Sequence, residues 1–338
     1  MTGNGAAPLL EVRGLVKHFP IRSGWWRKPS AWVRAVDGID LELAERGCFA
    51  LVGESGCGKS TTARCILRLI EPDRGVVRFN GTELLSLGAR ELRRQRREMQ
   101  MVFQDASSSL DPRMRVEAIV AEPLDIHRLG SKASRKQRVR ELLITVGLGE
   151  QLLGRYPHQL SGGQRQRVGM ARALALRPKL VIADEPVSAL DVSVQAQVLQ
   201  LMLELQQQHG LAYLLIAHDL GVVQRVADAI AVMYLGKIVE RAPAAELFAA
   251  PLHPYTHALL AAVPQPDPTG RSERRRARTR IAGELPSAVA PPPGCAYHTR
   301  CPRAEGRCRV EEPRLEQLRP GHWVACHFPV EWKAGTSG

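Results

Sequence analysis

The chain has 338 residues, 44% hydrophobic and 24% charged, enough for one large domain or two modest ones around an ordinary core. Its formal net charge of +13 favours an anionic partner: nucleic acid, a phospholipid surface or a nucleotide. No run approaches the ~18 apolar residues that a membrane span requires, and the opening MTGNGAAPLLEV lacks a basic stretch followed by an apolar one. A cytosolic protein is expected, a setting that disfavours disulfides.

In chain order, Leu9–Phe19 and Val33–Leu43 alternate with period two and are predicted strands. Between them, Ile21–Trp32 holds Trp25, Trp26 and Trp32 among basic residues. That loop either meets lipid headgroups or, more simply, folds onto its own domain. An apolar strand, Cys48–Gly53, leads through a glycine-rich turn into a helical pattern from Lys59 to Ile70. Further strands are predicted at Val76–Phe79, Glu98–Phe103, Lys179–Asp184, Ala212–His218 and Ala229–Leu235. Helices are predicted at Gly162–Ala175, Val192–Gln208 and His253–Val263. Strands alternating with helices indicate an α/β fold whose sheet is mostly parallel at its centre. Past residue 263, Pro264–Pro293 is rich in proline, arginine and small residues and is predicted to be a linker or irregular wrap. Within it, Arg271–Arg280 has the composition of a solvated charge run.

Three stretches carry chemistry. Gly53, Glu54, Ser55, Gly56, Cys57, Gly58, Lys59, Ser60 and Thr61 fit the phosphate-loop pattern G-x-x-x-x-G-K-[ST], with a strand before and a helix after. Glycines let consecutive N–H groups face phosphate oxygens, and the helix N-terminus adds its positive end. Lys59 would reach the β- and γ-phosphates and the Ser60 hydroxyl would ligate Mg²⁺. The apolar run Leu180–Glu185 ends in two acids at the carboxyl edge of a strand, where open α/β sheets bind ligands. Asp184 would hold the magnesium and Glu185 would act as general base on water. Ser161, Gly162, Gly163 and Gln164 open a third helix as a second anion-binding N-terminus.

With Leu160–Gln164 reading LSGGQ, the chain resembles the ABC-type ATPases, whose signature this is. The family's other elements follow in order: Gln104 as the Q-loop glutamine on magnesium and water, Ser188–Asp191 as the D-loop, and His218 as the switch histidine at the γ-phosphate. Phe19 stands where the family stacks an aromatic on adenine. Taken singly, Gln104 and His218 are ordinary strand-end residues and Phe19 ordinary packing; their order around a complete phosphate loop argues otherwise. The resemblance implies a P-loop ATPase domain with an antiparallel β subdomain and a helical subdomain, plus an irregular cysteine-containing C-terminal extension. Expected boundaries are 8–250 for the ATPase domain, with the helical subdomain at about 105–178, and 251–338 for the extension. It also implies ATP hydrolysis by head-to-tail pairs, with Ser161 and Gly163 of one subunit closing on the nucleotide of the other.

Within that family, Phe103–Val116, Ser188–Leu201, Ile70–Gly75 and the late His253–Pro264 are similar to ATP-binding subunits of oligopeptide/dipeptide importers. In QDASSSLDP the family more often has a proline soon after Gln-Asp. Expected partners are a second, related but different ATPase subunit, two transmembrane permease subunits and, indirectly, an extracytoplasmic solute-binding protein, at the cytoplasmic face of the membrane. No nucleic acid is expected, although an ABC-type ATPase acting on nucleic acid stays open as the alternative. The cargo, whether dipeptide, oligopeptide, nickel complex or glutathione, is not encoded in this chain.

Cys295, Cys301, Cys308 and Cys326, spaced x₅, x₆ and x₁₇, offer four thiolates, enough for one tetrahedral metal or one iron–sulfur cluster. The gaps exceed those of common zinc pairs and suit a cluster. The importer resemblance implies the same, a 4Fe–4S cluster of structural role, with Zn²⁺ or no metal as alternatives. His298, His322 and His327 nearby are expected to be bystanders, and Cys48, Cys57 and Cys65 small buried residues.

Overall fold

The computed structural model describes residues 7–21, 30–104, 109–263 and 284–330. Trp25, Trp26 and the run Arg271–Arg280 lie outside these. The chain divides into two compact units, one of Met1–Ala44, Phe49–Leu85 and Ala217–Gly338, the other of Glu45–Cys48 and Ser86–Ile216.

In the first unit, β1 (Leu10–Ile21) pairs antiparallel with β2 (Ala31–Leu43), from Leu10↔Leu43 to Ile21↔Ala31. With β4 (Arg74–Phe79) and β5 (Thr82–Glu83) they form an antiparallel sheet of order β2-β1-β4-β5. The alternation has a physical outcome: Leu10, Val12, Leu15, Ile39, Leu41, Val77 and Phe79 are fully buried, while Arg13, Arg74 and Arg78 stay in water. A second set of strands starts at β3 (Cys48–Val52), buried throughout and parallel to β9 (Ala229–Tyr234). A strand covered on both faces reads as a continuous apolar run, which both of these are.

Beyond β9 the order continues through β10 (Lys237–Pro243), β12 (His322–Val324) and β11 (Glu316–Arg319), all antiparallel. This differs from the irregular extension expected. Short polar strands such as Glu316–Arg319 carry no apolar alternation, so their pairing is set by the neighbour and not by their own pattern.

The seam between β10 and this extension is polar and buried. Glu240, with no exposed surface, accepts the backbone N–H groups of Leu252 at 2.6 Å and His253 at 3.0 Å, and pairs with His322 Nε2 at 2.7 Å. Burial by itself would raise its pKa, but these donors hold it below the usual carboxylate range. A carboxylate with a depressed pKa contributes stability that is present above its unfolded-state pKa and lost as pH falls through the folded one. Glu240→Ala leaves those donors without their acceptor and is expected to cost about 3–5 kcal/mol. Amide hydrogen exchange at 252–256 should accelerate in the variant, and in the native protein on acidification below the ordinary carboxylate range. Unchanged protection in Glu240→Ala would exclude this role.

The second unit holds three parallel strands, β6 (Met99–Val102), β7 (Leu180–Asp184) and β8 (Ala212–Ala217), in register Met99↔Leu180 and Leu180↔Ala212. Its helices are α2 (Ala89–Gln95), α3 (Val116–Ile126), α4 (Lys132–Thr145), α5 (Gly162–Leu174) and α6 (Val192–His209). Val116, Ile119 and Val120 of α3, Leu142 and Leu143 of α4, and Val168 and Ala171 of α5 form its buried helical core. Ser131 caps α4 by accepting from Ser134 N at 3.2 Å, and Gly210 ends α6 in the left-handed conformation. Among the described residues no helix is long and apolar enough to cross a membrane.

Candidate functional site

In the first unit the loop Gly53–Gly58 joins β3 to α1 (Lys59–Ile66), so the helix opens with its first N–H groups turned to the loop. Two positions demand glycine. Gly53 (φ 156°) and Gly58 (φ 111°) lie where a Cβ would overlap the carbonyl oxygens of Met233 and Ala35 respectively. Lys59 is 4% exposed and its Nζ donates to the carbonyls of Gly53 (2.7 Å) and Glu54 (2.9 Å). The ammonium is thereby curled back over the loop that would hold phosphate. Ser60 and Thr61 are half-buried in the first turn. Phe19 is half-buried on β1 with Lys17 Nζ 5.4 Å from its ring centre, and so is not a core residue. His218 follows β8 directly and is exposed.

In the second unit β7 delivers its two acids differently. Asp184, the last strand residue, is 1% exposed. Glu185 leaves the strand with φ 47°, a left-handed conformation that costs a non-glycine residue about 1–3 kcal/mol. Its N–H donates to Ile216 O at 2.9 Å and its carbonyl accepts from the Ser188 hydroxyl at 3.1 Å, which holds the strained turn. Gln104, two residues past β6, donates through Nε2 to Glu185 Oε2 at 2.9 Å. The fold thus brings together Gln104 and Glu185, 81 residues apart in sequence.

Ser161, Gly162, Gly163 and Gln164 open α5 through a capping box: Gln164 N donates to Ser161 Oγ at 3.3 Å and Ser161 N to Gln164 Oε1 at 3.0 Å. A Cβ on Gly163 would meet Val194 Cγ1 at 2.6 Å, so glycine there lets α5 approach α6 closely. Asp191 caps α6 through Val194 N at 3.0 Å. Serine, glutamine and aspartate of the two signatures therefore set helix ends as well as offering polar groups.

The cysteines of the extension line one small cavity with His298 and His327, although the module spans more than thirty positions of sequence. Cys295 N donates to Cys308 O at 2.8 Å, tying the first turn to the short helix Gly306–Val310. The free space among them is about 10 Å³, room for about one water. Among the described residues, no group of three or more His, Cys, Asp or Glu is placed to hold a metal ion. The metal site expected from sequence is therefore not formed as such: the donors converge, but the space between them is closed. Burial pushes the Cys295 thiol up to about 11 and Cys326 up to about 12, with the neighbouring sulfurs adding to both, so metal binding there would have to displace protons. Each histidine has another partner: His298 Nδ1 meets Cys295 O, His327 Nε2 meets Glu311 O, and His322 meets Glu240. None of the seven cysteines is in a disulfide, and Cys48, Cys57 and Cys65 are buried.

One contact had no signal in the sequence. Arg300, between Cys295 and Cys301 of the module, reaches the phosphate loop and pairs with the Glu54 carboxylate through two hydrogen bonds of 2.9 and 3.1 Å.

Comparison with known proteins places the chain. Residues 36–188 match the family model described as ABC transporter, and residues 239–308 the one described as oligopeptide/dipeptide transporter, C-terminal region. The chain is 51% identical over 319 residues to the probable peptide ABC transporter ATP-binding protein y4tS of Sinorhizobium fredii, covering 94% of this chain and 89% of that protein. It is 48% identical over 329 residues to the oligopeptide transport ATP-binding protein AppF of Bacillus subtilis, covering 97% and 99%. Among solved structures, the ATP-binding cassette MJ0796, a dimer bound to ADP and Pi, is 28% identical with a TM-score of 0.62, covering 70% of this chain and 98% of that one. Phosphate loop, paired acids, signature helix and C-terminal region thus occur together on a chain that belongs to the ABC transporter ATP-binding proteins, ATPases of the branch that carries the oligopeptide/dipeptide transporter C-terminal region.

Proposed function

We propose that the chain is the ATP-hydrolysing motor of an importer for di- or oligopeptides. It works as a head-to-tail pair with a second, related ATPase subunit, on two transmembrane permease subunits at the cytoplasmic face of the membrane, with an extracytoplasmic solute-binding protein delivering the cargo. The observation that carries this reading is the likeness to peptide-transport ATP-binding proteins over 94–97% of the chain, including the C-terminal region. The proposed division is an ATPase domain at 8–250, with its helical subdomain at about 105–178, and an extension at 251–338 holding the cysteine module 295–326.

Gly53–Thr61 would cradle the ATP phosphates, with Lys59 placing positive charge on them and Phe19 against adenine. The oxygen donors Ser60, Gln104 and Asp184 suit Mg²⁺, a hard cation, which would neutralise charge on the phosphates. Glu185 would accept a proton from the attacking water, with Gln104 holding its carboxylate and His218 aligning the γ-phosphate. Ser161, Gly162, Gly163 and Gln164 would close over the nucleotide of the partner subunit and turn the α5 N-terminus toward its phosphates.

For the cysteine module we propose a 4Fe–4S cluster held by Cys295, Cys301, Cys308 and Cys326, supported by the four thiols lining one cavity. The loops must open to admit it, since the present space is water-sized. Bound there, it would cross-link a segment with little core of its own.

Purification from the native membrane tests both points. Polytopic membrane proteins should co-purify and stimulate the ATPase, and an anaerobic preparation should contain iron and absorb in the visible. Turnover stimulated by DNA or RNA would instead support a nucleic-acid ATPase, and a colourless, zinc-loaded protein would remove the cluster.

A further inference from the structure

The phosphate loop carries its own negative charge. Glu54 is the second residue of Gly53–Thr61, and a carboxylate within a loop that must receive a polyanion opposes binding unless something neutralises it. The neutralising group comes from about 250 residues away, in the cysteine module. Arg300 Nη1 and Nη2 grip Glu54 Oε2 and Oε1 at 2.9 and 3.1 Å in the two-pronged geometry that guanidinium and carboxylate favour. The arginine side chain is only 6% exposed and the glutamate 22%, so solvent screens the pair weakly.

The surroundings fix this pair from every side. Arg300 Nη1 also lies 3.4 Å from the Tyr234 hydroxyl, and its guanidinium stands 5.9 Å from that ring's centre. Tyr234, Tyr255 and Tyr297 form a buried aromatic cluster with ring centres 4.8–5.3 Å apart. Tyr255 Oη accepts the Glu54 N–H at 2.9 Å, and Tyr297 O accepts the Arg300 N–H at 3.0 Å. Three hydrogen bonds within residues 295–301 carry the turn that aims Arg300: His298 N to Cys295 O, Arg300 N to Tyr297 O and Cys301 N to His298 O.

We infer that Arg300 is a positioning residue of the nucleotide site: it neutralises and orients Glu54, so the ATP site is completed by the cysteine module. The extension acts on the motor through this contact whether or not the cysteines hold a metal. The inference rests on Gly53–Thr61 being the ATP phosphate loop.

Equilibrium binding of a fluorescent ATP analogue to the full chain tests it. Arg300→Gln should raise the Kd about tenfold, because an uncompensated carboxylate then faces the phosphates. Glu54→Gln, which needs no counter-ion, supplies the background in which Arg300 is tested a second time. Adding Arg300→Gln to Glu54→Gln should change the Kd less than about twofold, a loss of effect that a purely structural arginine would not show. Native-like affinity in Arg300→Gln alone, or a tenfold loss on adding Arg300→Gln to Glu54→Gln, would overturn the inference. Lys59→Ala separates the two levels: if it binds like the native chain, the loop assignment itself fails, whereas loss of binding there beside native-like Arg300→Gln removes only the role of Arg300.

Discussion

Replacing Glu185 with Gln is expected to lower ATP turnover at least a hundredfold while leaving ATP binding within about twofold of native. Glutamine keeps the size and shape of glutamate, and its carbonyl oxygen can still accept from Gln104 Nε2, which in the native chain lies 2.9 Å from Glu185 Oε2. The left-handed turn at φ 47° is held by backbone and Ser188 contacts, not by the carboxylate, so it survives the change. What disappears is the group able to take a proton from water. Phosphate release measures turnover, and a fluorescent nucleotide measures binding. Undiminished hydrolysis would remove Glu185 from the base role, and loss of binding together with turnover would mean the carboxylate serves the fold or the metal instead.

Strands β1–β3 and β7–β9 and the glycine-rich loop were readable for one physical reason: they depend on local order. Period-two alternation marks β1 and β2, an unbroken apolar run marks β3, β7, β8 and β9, and the phosphate loop needs its glycines at fixed spacing. Gly53 and Gly58 show why, since backbone carbonyls from β9 and β2 stand where their side chains would be. Lys132–Thr145 was less legible because its polar sequence buries only Val139, Leu142 and Leu143, too narrow a stripe to announce a helix on its own. Strands β11 and β12 were illegible because they are only four and three residues long, too short for a pattern, and are set by their neighbours: β12 pairs with β10 and β11 with β12. The same limit hid Arg300. Nothing in TRC or in the arginine-rich composition distinguishes it from its neighbours; only the packing of Tyr234, Tyr255 and Tyr297 aims it at Glu54. The cysteine spacing, by contrast, said that four thiols would converge but not how closely.

Lys59→Ala is expected to weaken ATP binding by about a hundredfold, the scale of a charge-assisted contact of roughly 1.5–3 kcal/mol lost from a mostly buried site. In the described conformation the ammonium donates to Gly53 O and Glu54 O, so the loop is held closed by the same group that would face phosphate. Glu54 is then fixed at three points: its carbonyl by Lys59, its N–H by Tyr255, its carboxylate by Arg300. Alanine removes the first and leaves the other two, so the loop should stay in place and the fold should persist. Lys59→Arg provides the control. It keeps the charge, but a planar fork cannot reproduce an ammonium curled between two carbonyls, so it should recover only part of the affinity. Measured by the same fluorescent nucleotide, with far-ultraviolet circular dichroism to confirm folding, binding by Lys59→Ala equal to that of the native chain would show that ATP does not use this loop. Full recovery in Lys59→Arg would show that charge alone, and not the aimed ammonium, makes the contact.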